Sequence, residues 1–208
     1  FGISVEEAGH RLRYEIFNRI CRSQVADCVA TGHTRDDLAE TVLLRLIRGA
    51  GPRGLAGIHP RNGFVVRPLL DITRKELREY LEVQGLPHCE DTTNEDTSVA
   101  RNRIRHLLIP FLKKNFSEGI VDVLAREASI ARADDEWMER EVDQAVGQIV
   151  CYGEEVADID CQAIAKLPIA LARRVSKRVL EHVGGRPMSF NQTHRLLSLI
   201  RTPCRTDF

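Results

Sequence analysis

Aromatic residues are scarce here: seven Phe, three Tyr and one Trp make up 5% of 208 residues. A platform that binds single-stranded nucleic acid by stacking bases on rings is therefore poorly supported. No C-x-x-C pair joins any of the six cysteines, at 21, 28, 89, 151, 161 and 204. Metal sites and redox motifs usually need closer spacing, so reduced structural thiols in a cytoplasmic protein are expected. No apolar run approaches the length of a membrane span, and the opening residues do not read as a signal peptide. Net charge is zero, which hides local polarity: residues 99–116 hold five Lys or Arg and no acid, and residues 134–143 hold six acids and one Arg. Charge alone makes both solvated helix surface. What remains, 43% hydrophobic and 29% charged, is ordinary for a globular protein of one large or two small domains. The start on Phe1 rather than Met leads to the expectation of a fragment of a longer protein.

One stretch organises the chain. Residues 25–30 are a short apolar run bounded by Thr31-Gly32, a predicted buried strand. From Asp36 to Arg48 apolar residues recur at Leu38, Val42 and Leu46 and at Leu43 and Ile47, a helical stripe that Gly49 stops. His33, Asp36 and Asp37 thus fall in a strand-to-helix turn, where open α/β sheets bind ligands. Upstream, Ser4 and Glu7 form a predicted capping box for a helix to about Arg22, with Leu12, Phe17 and Ile20 inward. Gly49 to Gly57, with four glycines and a proline, reads as a flexible connection outside the core. A second strand is expected over 64–70, then a helix capped by Thr73 and Glu76, with Leu77, Tyr80 and Leu81 inward and Gly85 at its end. A polar loop over 89–98 leads into R-N-R-I-R, whose Arg101 and Arg105 share one helix face, where a phosphate or carboxylate could meet both.

Strands separated by helices indicate part of a doubly wound parallel sheet, an α/β domain over residues 1–116. Two strands are too few to close it, so the others are expected upstream of Phe1. Residues 117–208 read as a smaller all-helical domain: Glu118 to about Val150, Ile169 to Val183, and Phe190 to Arg201 behind a Ser189 cap, with Gly184-Gly185 between the last two.

The residues His33, Asp36, Asp37 and Glu40 leave three readings open. They could ligate a metal, line a polar pocket for a nucleotide or amine, or only cap a helix whose dipole they oppose.

The string T-G-H-T-R-D-D-L-A-E-T-V-L-L-R-L-I-R-G-A-G closely resembles the tRNA(Ile)-lysidine synthetases of the PP-loop ATP pyrophosphatase superfamily. The resemblance continues through G-L-A-G-I, V-V-R-P-L-L-D-I-T-R-K-E-L and D-T-T-N-E-D-T-S-V-A-R-N-R-I-R-H-L-L-I-P-F-L. More loosely, L-P-I-A-L-A-R-R-V-S-K-R-V-L and M-S-F-N-Q-T-H-R-L-L look like that family's helical domain. The G-H-x-x-D-D-x-x-E-T element is shared with tRNA thiolases; the arginine string ahead of L-I-P-F-L makes the match specific.

The resemblance implies an adenine nucleotide alpha-hydrolase-like fold in which residues 1–116 are the later part of a PP-loop ATPase domain and 117–208 bind tRNA or substrate. It implies a ligase that joins L-lysine to C2 of the wobble cytidine of tRNA(Ile) with a CAU anticodon, through an adenylated cytidine. ATP, with Mg²⁺, would be split to AMP and pyrophosphate, and a homodimer is allowed. Asp37 and Glu40 would hold the lysine. His33 and Arg13, with Asp37, would form the catalytic set. Gly32, Arg101, Arg103 and Arg105 would face the nucleotide or the tRNA backbone, and no residue is assigned to a metal. One departure stands out: the superfamily's S-G-G-x-D-S loop is absent. N-terminal truncation is the expected cause, and the chain alone is expected to be inactive. The alternatives are a thiolase-like enzyme, disfavoured by the missing C-x-x-C pair, and a non-catalytic RNA-binding remnant that keeps the basic segment from Arg101 to Lys114.

Overall fold

The computed structural model describes residues 5–89, 95–154 and 156–201 of the chain. Ser4 with its predicted cap, the D-T-T-N run at 91–94 and Cys204 lie outside them. Local chemistry sets most helix boundaries. Helix α1 spans Val5–Arg22. Helix α2, Arg35–Ile47, starts from Thr34, which exchanges hydrogen bonds with Asp37 in a capping box, and Gly49 beyond its end sits at φ +80°. Two later helices keep their expected caps. The Thr73 N–H donates to Glu76 Oε2 at 2.8 Å ahead of α4, Arg74–Val83. Ser189 and Gln192 exchange bonds ahead of the last helix.

The strands are far shorter than their apolar runs. Strand β1 is Val29–Ala30, β2 is Arg61–Asn62 and β3 is Val65–Val66, in the order β1-β3-β2. β1 runs parallel to β3, with Val29 opposite Val65 and Ala30 opposite Val66, and β2 pairs antiparallel to β3 across a turn at Gly63. The strand expected over 25–30 is corrected at its start: Gln24 turns the chain at φ +59° and Val25 is 77% exposed. The glycine loop is corrected too. It contains α3, Pro52–Leu55, and leads into a fully buried Ala56, while Arg45 Nη1 donates to the Gly54 and Gly57 carbonyls at 3.2 and 2.7 Å.

After the polar loop come α5, Ala100–Arg103, a π-helical turn at Ile104–Leu108, α6 at Ile109–Asn115 and α7 at Ile120–Ile149. The chain divides into two compact units between Ala133 and Asp134, inside α7. In the first unit α2 is buried on two sides. Ala39 and Leu43 pack with Ile104, Ile109 and Val121, while Leu38 and Val42 pack with Leu70 and Ala128. Leu46, Tyr80 and Leu12, expected inward, are exposed, because the periodic stripes run on past the surfaces that cover them.

The second unit is mostly helical, but the expectation of helix alone is corrected by a hairpin. β4, Val150–Tyr152, pairs antiparallel with β5, Ala157–Ile159. Helices α8, Cys161–Lys166, α9, Ile169–Gly184, and α10, Phe190–Arg201, complete a core of Val142, Ile164, Ala172, Val175, Val179 and Leu197. The acidic run is not all solvated surface: Asp135 is buried and accepts from Arg174 Nη1 at 2.6 Å.

Candidate active site

The apolar groove between α2 and the π turn is the obvious cavity of the first unit, about 490 Å³, lined by Leu44, Ile47, Ile104, Leu107, Phe111 and others. Arg103 is its sole ionisable wall, so it offers no acid, base or nucleophile. The chemistry-bearing residues gather elsewhere, at the N-terminal end of α2.

The β1 strand delivers Thr31, Gly32 and His33 into the turn, and Thr31 Oγ1 lies 3.0 Å from His33 Nδ1. Asp37 and Glu40, three residues apart on α2, share a face. Three arginines from two other segments meet them. Arg101 gives Nε to Glu40 Oε2 at 2.9 Å and Nη2 to Asp37 Oδ1 at 3.1 Å. Arg105 gives Nε to Glu40 Oε1 at 2.7 Å and Nη2 to Glu40 Oε2 at 3.0 Å. Arg74, the first residue of α4, places Nη2 at 3.3 Å from both Asp37 Oδ1 and Glu40 Oε1. Its backbone N–H donates to Asp36 Oδ2 at 2.7 Å, which ties α4 to the start of α2. Three guanidinia therefore meet two carboxylates, Asp37 and Glu40, with Asp36 held beside them by the Arg74 backbone.

Burial distinguishes the two central acids. Glu40 is fully buried and its oxygens are engaged by all three arginines. Asp37 keeps 15% of its side-chain surface. Burial pushes the Asp37 carboxyl up, but hydrogen bonds from the Thr34 backbone and hydroxyl, with Arg101 and Arg74 beside it, hold it below the ordinary range. The Arg105 guanidinium is held protonated beyond its usual range by its bond to Glu40, against the opposing effect of burial. A depressed carboxylate adds stability that is present above its unfolded pKa and lost as pH falls through its folded value. Thr34→Val removes the hydroxyl donor, so the Asp37 contribution should be lost at higher pH than in the parent. Urea unfolding at a series of pH values from about 2 to 5 measures this; a pH-independent loss would show only the missing cap.

Of the residues expected from sequence, Asp37, Glu40, Arg101 and Arg105 are brought together, with His33 at the adjoining turn. Arg103 is not: it donates to the Thr97 and Ser98 carbonyls at 3.1 and 2.7 Å. Arg13 is exposed on α1 and makes no ion pair or hydrogen bond among the described residues. Gly32 is exposed, and a Cβ there would meet nothing within 4 Å. Among the described residues no three His, Cys, Asp or Glu side chains are grouped to hold a metal ion, and no helix is long and apolar enough to cross a membrane. Arg74 escaped the sequence reading. A signal for it existed, since a cation in a first helical turn opposes the dipole and wants a specific anion. Arg67 also escaped it: its buried guanidinium donates to His59 O at 2.6 Å and to the Tyr14 hydroxyl at 2.7 Å, fixing α1 to the exit of β3.

A parallel strand pair set among helices, its carboxyl end opening toward a cluster of charged side chains, marks an α/β protein. Residues 1–112 match the model of the PP-loop domain, and the chain belongs to that family. Over 203 residues it is 37% identical to a tRNA(Ile)-lysidine synthase of Solibacter usitatus, covering 96% of this chain and 46% of that protein. A tRNA(Ile)-lysidine synthase of Caldanaerobacter subterraneus is 33% identical over 97% of this chain and 44% of its own length. One from Nostoc sp. is 34% identical over 99% of this chain and 65% of its own. The chain thus spans about half the length of the first two of these relatives and 65% of the third.

Proposed function

We propose that this protein is a cytoplasmic ligase that joins L-lysine to C2 of the wobble cytidine of tRNA(Ile), using ATP. The observation that carries the reading is the mixed cluster of Asp37, Glu40, Arg74, Arg101 and Arg105 beside the His33 turn, in a chain whose relatives bear the lysidine synthase name. Free lysine carries one carboxylate and two ammonium groups, and a site of both charges answers both.

The cytidine C2 oxygen leaves poorly until it is adenylated. ATP gives its adenylyl group to that oxygen with loss of pyrophosphate, then a lysine amine attacks C2 and AMP departs. This chain's own part is to hold the reactants. Gly32 leaves open space at the strand end, and Arg13 is a cation with no partner among the described residues; both suit the approach of a phosphate. His33, half-buried and oriented through Thr31, would lie at the reacting phosphate or cytidine. Asp37, kept ionised, would take a lysine ammonium, with Glu40 fixing the arginines around it. Arg103, on the exposed face of α5, would meet the tRNA backbone. Mg²⁺ would accompany ATP, held largely by phosphate oxygens and water. In this reading the three strands belong to a doubly wound sheet, and residues 117–208 serve as a helical domain for tRNA or substrate; a homodimer is compatible with it.

The test is transfer of labelled lysine to tRNA(Ile) with a CAU anticodon, with and without ATP, by the product of the complete gene beside the 208-residue chain. ATP-dependent transfer by the complete product is expected. No transfer by either protein removes the ligase reading.

A further inference from the structure

We propose that Arg67 is a positioning residue: through the Tyr14 hydroxyl it sets α1 at the strand exits and so brings Arg13 to the phosphate. The inference rests on the ligase reading, in which Arg13 meets a phosphate, and goes beyond it in assigning what puts that cation there.

Arg67 follows Val66, whose carbonyl accepts from the Thr31 N–H at 2.9 Å. It therefore stands at the carboxyl end of one parallel strand, beside the Thr31-Gly32-His33 turn at the end of the other. Its backbone N–H donates to Pro60 O at 2.8 Å and its Nη1 to His59 O at 2.6 Å, so both ends of the residue are tied to one short segment. The remaining arm, Nη2, reaches the Tyr14 hydroxyl at 2.7 Å. No carboxylate pairs with this buried guanidinium among the described residues, and its Nε meets no acceptor. A buried cation without an anion is costly. What the fork supplies in return is direction, because a planar guanidinium reaches a carbonyl and a hydroxyl at fixed angles at once.

Helix α1 needs such a tie. Among its described side chains only Cys21 is buried, and Leu12 and Ile16 are 60% and 45% exposed, so apolar packing holds the helix weakly. Its inward row is Tyr14, Phe17 and Cys21, at the spacing of one helix face, with the Tyr14 and Phe17 ring centroids 5.8 Å apart. Arg13 precedes Tyr14 and lies four residues before Phe17, which places it at the flank of that row. Its Nη1 runs back along the helix to Gly9, where a Cβ would lie 3.8 Å from it. The bond on Tyr14 thus fixes the rotation of α1 about its own axis at the residue next to Arg13. A cation that no other group orients takes its place from that rotation.

The experiment is a double-mutant cycle on the complete gene product, with Tyr14→Phe, Arg13→Ala and both together, read by ATP-dependent lysine transfer. Tyr14→Phe deletes one oxygen and keeps the ring. It should lower kcat by about 10-fold or more, as a small misplacement of a reacting group does, with KM for lysine changed by less than about 2-fold. In the Arg13→Ala background the same change should cost less than about 2-fold, because the residue it places is gone. Losses that multiply, or a parental kcat for Tyr14→Phe, overturn the proposal. A second readout does not use activity. Amide exchange over α1 should quicken about 10-fold or more in Tyr14→Phe, the worth of one hydrogen bond to a charged group, with α2 unchanged. Unchanged exchange in α1 overturns the proposal as well. Should Tyr14→Phe not fold, Arg67→Lys, which keeps the charge and loses the fork, takes its place in the cycle. Absence of lysine transfer by the parent is a separate result: it removes the ligase reading, and the task given to Arg13 with it, whatever α1 exchange shows.

Discussion

Glu40→Gln should destabilise the first unit by about 3–5 kcal/mol, because it strips the anion from a buried group of arginines while leaving their charges in place. The carboxylate is fully buried, and Arg101, Arg105 and Arg74 all donate to it. Glutamine matches its shape but can accept through one oxygen only and brings an N–H₂ group against guanidinium N–H groups. Urea unfolding monitored by circular dichroism reads the loss. Activity should disappear together with it, since Arg101 and Arg105 lose their shared anchor. The triple change Glu40→Leu, Arg101→Met and Arg105→Leu separates the two effects: apolar replacement of a buried ion group together with its main partners is often neutral or better for stability, and here Arg74 and Asp37 keep each other as partners, yet the change removes the site. A loss below about 1 kcal/mol for Glu40→Gln would mean that water reaches the carboxylate in solution and that the cluster is a surface one.

The second large effect is expected at Gly57. Its φ of +62° belongs to the left-handed region, and a Cβ there would lie 2.5 Å from Leu38 Cδ1 and 3.1 Å from Val42 Cγ2. Both neighbours are in the core beside Leu70 and Ala128. Gly57→Ala therefore adds backbone strain of about 1–2 kcal/mol to overpacking of about 1–3 kcal/mol, with a thermal midpoint lower by several degrees. Gly63→Ala is the control. Its φ is +58° but nothing lies within 4 Å of the added methyl, so only the backbone contribution should appear. Equal losses at the two positions would show that the close approach of Gly57 to α2 carries no weight.

What could be read from the sequence was what is encoded within a few residues. The box of Thr73 with Glu76, the cap at Ser189 and the left-handed glycines at 49, 85 and 185 all stand as expected, because each depends on its own turn. So does the turn from β1 into α2, although the cap there is Thr34, with Asp37 answering it. Strand length was not legible, since pairing is decided by a partner: Val29 and Ala30 are strand only where Val65 and Val66 lie beside them. Nor was the β4–β5 hairpin, whose three-residue strands are too short for an alternating pattern to register. In the cluster, spacing correctly put Arg101 and Arg105 on one face able to meet a carboxylate. That this carboxylate is Glu40 of the same chain, and that Arg74 joins them, depends on folding across 34 to 65 residues and leaves no local trace.

That separation has a consequence in time. Arg101 follows Glu40 by 61 residues and Arg105 by 65. At about 5–20 residues per second during synthesis, Glu40 emerges some 2–7 seconds before Arg74, which follows it by 34 residues, and some 3–13 seconds before the other two. Until the last arginine arrives α2 carries a negative charge that Arg74 alone can answer, on a face it must later bury, and sealing the face early would be costly. Burial of that face is therefore expected only once residue 105 has left the ribosome, an order of events written into the sequence.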